Sequence, residues 1–321
     1  MKAAVVAQFG ATPKYLDFAE PTAEKGEQLV RVTAAGLHPV VKAMAAGTHY
    51  AAAGGSAAFV AGIDGVGKLA DGTRVYFGTW RKPYGTFAEI APAPEWITLK
   101  LPEGLPDEAA AALANPGMSS WAALKFRAEF QAGESVLILG ATGVAGGLAV
   151  QIARRLGARR VVAAGRNAEG LAAAAANRAD ATISLEQDRD ALVEALRKEI
   201  AAGVDVVLDY VWGAPAEAFF GAMLMKGGLE HAAKRTRYIQ IGESAGKTIQ
   251  LPASVLRSSG IEVMGSGFGS VALTDISNVI ANFFAEAAKK PFVMKTEVVP
   301  LRDVEAAWTR KEEATRIVFR P

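Results

Sequence analysis

Cysteine is absent from this chain of 321 residues. Its absence removes disulfides, iron–sulfur ligation, thiolate zinc sites and a thiol nucleophile. A reducing cytoplasm is the expected location. Histidine occurs only at His38, His49 and His231. No excess of one charge sign is present either. The formal net charge is +2, which gives no electrostatic case for a nucleic-acid or membrane partner. No apolar run approaches the roughly 18 residues of a membrane span. Met1-Lys2 is followed by five apolar residues before Gln8, too few for a signal-peptide core. The alanine tracts at 109–114 and 172–176 are flanked by charges, Gly or Pro, and helix propensity explains them. About half of the residues, 51%, are hydrophobic, enough for a sizeable core, and the length predicts two domains.

The most informative stretch runs Val136-Leu-Ile-Leu139 into Gly140-Ala141-Thr142-Gly143-Val144-Ala145-Gly146-Gly147. Strand formers enter a glycine-punctuated turn, a helical apolar pattern follows over 148–156, and Gly157 stops it. A second apolar strand is expected at 160–164. This strand, turn, helix, strand unit has the size of one dinucleotide-binding half. A turn without side chains lets a pyrophosphate approach the backbone, and the helix N-terminus behind it favours negative charge. The spacing departs from a strict G-x-G-x-x-G, so the context on both sides carries the reading.

An NAD-binding unit usually places Asp or Glu after its second strand to hold the ribose 2′-hydroxyl. This chain reads Ala164-Gly165-Arg166-Asn167. A guanidinium there matches the oxygens of a 2′-phosphate, which predicts NADPH over NADH. The alternative is a solvated arginine opening a helix capped by Asn167.

The first hundred residues predict short strands at 2–7, 29–35, 74–77, 87–91 and 96–99, the pattern of a compact β-barrel domain. A helix is expected from Pro106 to Ala114, ended by Asn115-Pro116-Gly117, with a second at 119–130. From residue 135 strands at 135–139, 160–164, 181–185, 204–209, 236–241 and 261–265 alternate with helices. That rhythm predicts an α/β fold, a doubly wound parallel six-stranded sheet. The tail, with a helix near 272–289 and strands at 296–299 and 316–319, is too small to be a domain and is expected to rejoin the N-terminal one.

Six segments together carry a family resemblance: Ala35-Gly-Leu-His-Pro39, Gly62-Ile-Asp-Gly-Val-Gly67, Asp71-Gly-Thr-Arg-Val75, Tyr84-Gly-Thr-Phe-Ala-Glu89, Leu101-Pro-Glu-Gly104 and the glycine turn. In order and spacing the chain resembles the zinc-independent quinone oxidoreductase branch of the medium-chain dehydrogenase/reductase superfamily. The resemblance implies a GroES-like catalytic domain from 1–118 and 267–321 around a Rossmann domain at 119–266. The zinc-ligand positions of metal-dependent members look like His38, Ile63-Asp64 and Pro116. Ile63 and Pro116 cannot ligate, and the four-cysteine structural lobe is missing, so no metal is expected.

The resemblance also implies site residues. His38 stands where relatives often have Asn, and Tyr50 matches a tyrosine of the family's substrate site. Both are candidate catalytic groups, as proton donors or as shapers of the pocket. His49 is expected to be exposed and His231 to lie on the surface. Ser119, Tyr210-Val211-Trp212, Ile241-Gly242, Ser244 and Gly267-Phe268-Gly269 fall where relatives contact the dinucleotide, along with 140–146 and 165–167. Ser119 could equally be a helix cap, and Trp212 and Phe268 hinge or core aromatics. Asp64 and Arg81 are site candidates by neighbourhood, with surface ion pairing as the other reading.

The expected activity is NADPH-dependent hydride transfer to a quinone, whose π-system takes up charge without a Lewis acid. The alternatives are an enone or enoyl-thioester reductase with a tyrosine proton donor, and a non-catalytic NADPH-binding protein. The sixth sheet strand should lie at an edge, where a second copy would make a homodimer.

Overall fold

A computed structural model describes residues 1–52, 58–224, 234–310 and 314–321. The chain forms two compact units, Met1–Asn115 with Leu273–Pro321, and Pro116–Ala272. His231 lies outside the described residues.

The first unit contains β1 (Lys2–Val6), β2 (Lys14–Asp17), β3 (Glu27–Gly36), α1 (Pro39–Ala46), β4 (Phe59–Val60), β5 (Asp64–Lys68), β6 (Arg74–Gly78), β7 (Ile90–Pro94) and β8 (Leu99–Lys100). Helix α2 (Asp107–Ala122) runs through the point where the two units divide. Strands β1, β2 and β4 make one small sheet, and β3, β5, β6 and β8 belong to a larger one with β7 paired to β3. Val30, Val75, Phe77, Phe87 and Phe319 are among its buried core residues.

Three local expectations need correction. The strand predicted at 87–91 begins only at Ile90. Phe87 instead donates its N–H to the Ala61 carbonyl and accepts from Ala4, so 87–89 pairs with other partners. Of the strand predicted at 96–99 only Leu99 lies in a strand, β8, and Glu95–Ile97 is a turn of 3-10 helix, with Thr98 Oγ1 donating to the Pro94 carbonyl at 2.9 Å. The helix predicted to stop before Pro116 continues through it to Ala122, then widens into a π-helical turn at Ala123–Arg127. Proline removes one backbone donor, which normally ends a helix. Here Ala110–Ala114 on one side and Trp121–Leu124 on the other are buried, and that burial outweighs the local punctuation.

The second unit is the doubly wound sheet. It contains β9 (Ser135–Leu139), α3 (Val144–Arg155), β10 (Arg160–Gly165), α4 (Ala168–Ala176), β11 (Ala181–Ser184), α5 (Arg189–Gly203), β12 (Val206–Asp209), α6 (Gly213–Met223), β13 (Thr236–Gln240), α7 (Ala253–Ser258) and β14 (Ile261–Gly265). All strand pairs are parallel, in the order β11-β10-β9-β12-β13-β14. The order reverses between β9 and β12, and open α/β sheets bind ligands at the carboxyl ends of the strands beside such a point. Strands buried on both faces read as continuous apolar runs, as Val136–Leu139 and Val206–Leu208 do. Strand β14 lies at the edge, with Val263 exposed.

The tail returns to the first unit as α8 (Leu273–Lys289), β15 (Lys295–Pro300), α9 (Val304–Trp308) and β16 (Thr315–Arg320). Strand β16 pairs with both β15 and β3. Helix α8 buries Val279, Ile280, Phe283, Phe284 and Ala287, a stripe at helical spacing. Among the described residues no helix is long and apolar enough to cross a membrane.

Candidate functional site

The glycine turn follows β9, the central strand at the reversal. Gly140 has φ +92°, a conformation that L side chains rarely adopt. Its N–H and that of Ala141 both donate to the Ala164 carbonyl, at 2.9 and 2.8 Å, which ties the turn to β10. The other glycines have separate tasks. A Cβ on Gly146 would collide with the Gly140 carbonyl oxygen and come within 2.7 Å of Ala141 Cα, so Gly146 lets α3 approach β9. A Cβ on Gly143 would meet only the Gly140 oxygen, at an ordinary 3.6 Å. Gly143 caps α3 with φ −82° and supplies no side chain to the helix end. The first amides of a helix lack intrahelical acceptors, so this turn presents open space beside N–H groups of Val144, Ala145 and Gly146. Thr142 turns inward. A Cβ on Gly170 would come within 2.7 Å of Thr142 Cβ, and one on Gly165 would collide with the Thr142 methyl.

Arg166 follows β10 and is exposed. Among the described residues no carboxylate or hydrogen-bond acceptor engages its guanidinium. Asn167 caps α4, its Oδ1 accepting from Gly170 N at 2.7 Å. Its side chain is therefore committed to the helix, as in the alternative reading, while Arg166 is left available.

The turns after β12 and β13 are locked together. Tyr210 Oη shares a 2.8 Å hydrogen bond with Ser120 Oγ. Burial pushes the Tyr210 phenol up to about 12. Val211 accepts from Ala245 N at 2.7 Å, and Ser244 Oγ donates to the Tyr210 carbonyl at 3.2 Å. A Cβ on Gly242 would stand 2.5 Å from that same carbonyl oxygen. The Trp212 ring packs against Phe220 and Tyr238 at 6.3 and 6.2 Å, so the ring is a core aromatic while its backbone lines the turn. After β14, Gly267 N donates to Ser270 Oγ at 2.8 Å, Gly269 has φ +89°, and Phe268 is half-exposed. Ser119 Oγ donates back to the Pro116 carbonyl at 2.9 Å, within its own helix.

Sequence reasoning missed Ser120, Asp209 and Tyr238. Asp209 is fully buried and accepts from the N–H groups of Val211 and Trp212 at 2.8 and 2.9 Å and from Tyr238 Oη at 2.6 Å. Burial raises its carboxyl above the usual range against the pull of these donors. An aspartate ending an apolar strand was a readable signal. The tyrosine on the neighbouring strand was not.

In the first unit His38 is wholly buried before α1. A Cβ on Gly36 would meet the Ala111 carbonyl oxygen and His38 Nε2 at 2.6 Å each, which shows how tightly the ring is enclosed. Burial, and secondarily the Arg316 cation, hold the imidazole well below its ordinary range, opposed by the Ala111 carbonyl. His38 is thus neutral at pH 7. Its Nε2 stands 3.6 Å from Asp64 Oδ1, a contact rather than an ion pair. Asp64 accepts from Tyr76 Oη at 3.0 Å, and burial pushes its carboxyl up to about 7. Tyr50 is 73% exposed and stacks on His49 at 4.3 Å. Arg81 is engaged at the surface by Glu27, Glu24 and the Tyr84 ring.

The Asp64 carboxyl gives a pH test. Its folded-state pKa lies above the ordinary 3.8, so between those values the native state binds more protons and stability falls as pH rises. Asp64→Asn accepts the same Tyr76 bond without a charge. The melting temperature of the variant relative to wild type is expected to be higher at about pH 8 than at about pH 4.5. A difference that does not change with pH would show that Asp64 ionises without penalty. His38 acts in the opposite direction, losing stability as pH falls below its ordinary 6.5, and cancels in the comparison.

The parallel sheet, its order and the turn after β9 define a doubly wound α/β protein of the Rossmann class. Residues 145–286 match the family described as zinc-binding dehydrogenase. A probable NADPH-dependent quinone reductase of Emericella nidulans is 27% identical over the whole of both chains. The human quinone oxidoreductase is 33% identical over 51% of this chain and 53% of its own length. The solved quinone oxidoreductase of Thermus thermophilus is 30% identical, covers both chains completely and superposes with a TM-score of 0.80. The chain belongs to the zinc-independent quinone oxidoreductase branch of the medium-chain dehydrogenase/reductase superfamily, and its first unit is the GroES-like β domain of that fold.

Proposed function

We propose that this chain is an NADPH-dependent, metal-free reductase of quinones. The observation that carries the reading is the open face of Gly143 at the uncapped start of α3, with the unengaged Arg166 guanidinium after β10. These groups suit a pyrophosphate and a 2′-phosphate. The relatives support it: the Emericella protein is named an NADPH-dependent quinone reductase, and the Thermus protein was solved in complex with NADPH.

Residues 140–146 hold the pyrophosphate and 165–167 the adenosine phosphate. Ser119, Tyr210–Trp212, Ile241, Gly242, Ser244 and 267–269 form the nicotinamide side. NADPH supplies the hydride when bound. The protein aligns the reactants and excludes water. The metal-free reading rests on the donors. His38 is wholly enclosed, Ile63 and Pro116 carry no ligating group, no cysteine exists, and among the described residues no cluster of three or more His, Asp or Glu could hold a metal. His38 is assigned no proton transfer, because its ring is wholly buried. The exposed Tyr50 favours a second reading, in which its phenol protonates the enolate of an enone.

The test is NADPH oxidation over a panel of quinones, alkenals and enoyl thioesters, with NADH in parallel and with chelator added. Quinone turnover unaffected by chelator is expected. Turnover of enones that falls on the order of 10²-fold in Tyr50→Phe, with quinones spared, would favour the second reading. NADPH binding without any turnover would leave a binding protein. A homodimer paired along the exposed edge of β14 is the assembly we assign, and light scattering that gives a 33.5 kDa particle at micromolar concentration would refute it.

A further inference from the structure

We propose that Asp209 is the positioning residue of the cofactor site, one buried residue that fixes both turns on its nicotinamide side. The inference rests on the reading of those turns as cofactor-binding.

The geometry is a chain of hydrogen bonds. Tyr238 on β13 is clamped among Trp212, Phe219 and Phe220, with ring centroids 6.2, 5.2 and 4.8 Å away. Its hydroxyl donates to Asp209 Oδ2 at 2.6 Å. The other carboxylate oxygen, Oδ1, accepts from Val211 N and Trp212 N at 2.8 and 2.9 Å. The backbone carbonyl of Asp209 accepts from Ile241 N and Gly242 N at 2.7 and 3.1 Å. A single residue at the end of β12 therefore holds the first turn by its side chain and the second by its main chain.

The side-chain half is the part a substitution can remove. Trp212 sits at φ +54° and ψ −155° without being glycine. A non-glycine residue stays in that region only when its surroundings over-determine it. The two bonds from Oδ1 are what do so here. Without them Trp212 is free to leave the left-handed region. Val211 must then move, and its carbonyl is the acceptor for Ala245 N in the second turn. The relation between the two turns would loosen, while the glycine turn, which Val211 touches only through its side chain, stays bonded to the Ala164 carbonyl of β10, the strand that Arg166 follows.

Two ligands separate this effect from loss of the fold. NADPH spans both halves of the site. The fragment 2′,5′-ADP carries only the adenosine half and its 2′-phosphate. Binding is measured by nicotinamide fluorescence for NADPH and by calorimetry for 2′,5′-ADP, with the apo melting temperature of each variant. Asp209→Ala is expected to weaken NADPH about tenfold or more and leave 2′,5′-ADP within about twofold. Asp209→Asn keeps an acceptor for the two amides and should rescue NADPH to within about threefold of wild type. Should the alanine variant fail to fold, Tyr238→Phe removes the hydroxyl beneath the carboxylate and should weaken NADPH alone, by about threefold. Equal losses for both ligands in a folded variant, or no loss for either, would overturn the proposal. Wild-type protein that binds neither ligand would instead overturn the functional reading on which it rests.

Discussion

Gly143→Val is expected to abolish NADPH binding in a protein that still folds. The backbone at Gly143 is extended, with φ −82° and ψ 167°, so a branched side chain meets no conformational penalty there. Its Cβ would have only the Gly140 oxygen within 4 Å, at 3.6 Å. The rest of the side chain would occupy the space in front of the α3 amides, where a pyrophosphate must come close. Gly146→Val is the contrasting control. Its Cβ would strike the Gly140 carbonyl and the Ala141 backbone, and backbone cannot step aside as a flexible side chain can. Overpacking of this kind destabilises by about 1–3 kcal/mol or more. Thermal melting with and without NADPH reads both variants. Gly143→Val should melt like the apo wild type and gain nothing from cofactor, and Gly146→Val should melt lower. Undiminished NADPH affinity in folded Gly143→Val would sink the assignment of the turn.

Arg166→Ala should weaken NADPH and leave NADH nearly unchanged. A charge-assisted hydrogen bond contributes about 1.5–3 kcal/mol, which corresponds to roughly 10- to 150-fold in affinity. The side chain is exposed, so the upper end of that range requires the guanidinium to meet the phosphate bidentately. Added salt should narrow the gap between wild type and variant, because exposed charges are screened. Fluorescence titration of both cofactors on both proteins decides it. Equal losses for NADPH and NADH would place Arg166 elsewhere in the function.

The second unit was legible from the sequence because its signals are local. The strands expected at 135–139 and 261–265 have those bounds in the structure. Strands β9, β10 and β12 are short, largely apolar runs, and helices α4 and α5 carry side-chain caps, such as Asp188, whose Oδ1 accepts from Ala191 N, before α5. Burial on both faces of a parallel sheet leaves no room for alternation, so such strands announce themselves. The first unit was harder to read. Its strands are short, several of their hydrogen bonds go to distant segments, and turn residues lie inside paired regions. Phe87 bonds to Ala61 and Ala4, neither of which its neighbours foretell. Pro116 reads as a helix stop, yet the helix continues, because the folded chain buries both of its flanks.

The candidate site divides in the same way. Gly140, Gly143, Gly146 and Arg166 were visible because their chemistry follows from what they lack or carry: no side chain where a backbone must be approached, and a cation where a carboxylate is usual. Their distinct tasks were not visible. That Gly146 serves helix packing while Gly143 faces open space depends on which neighbouring atoms each Cβ would meet. The same holds for Arg81, whose carboxylate partners lie 54 and 57 positions earlier in the chain. His38 reads as a possible acid by residue type, and its enclosure, with the Arg316 cation beside it, keeps it neutral. Asp209 and Tyr238 are 29 positions apart, and β12 and β13 bring their oxygens to 2.6 Å. By itself the sequence determined the class of fold, and it marked the turn proposed to receive a dinucleotide and the charge proposed to select its phosphate, since those rest on residue type and local spacing. The tertiary structure alone decided which buried groups stay neutral and which side chains hold the turns, because desolvation and hydrogen-bond geometry arise only when distant segments meet.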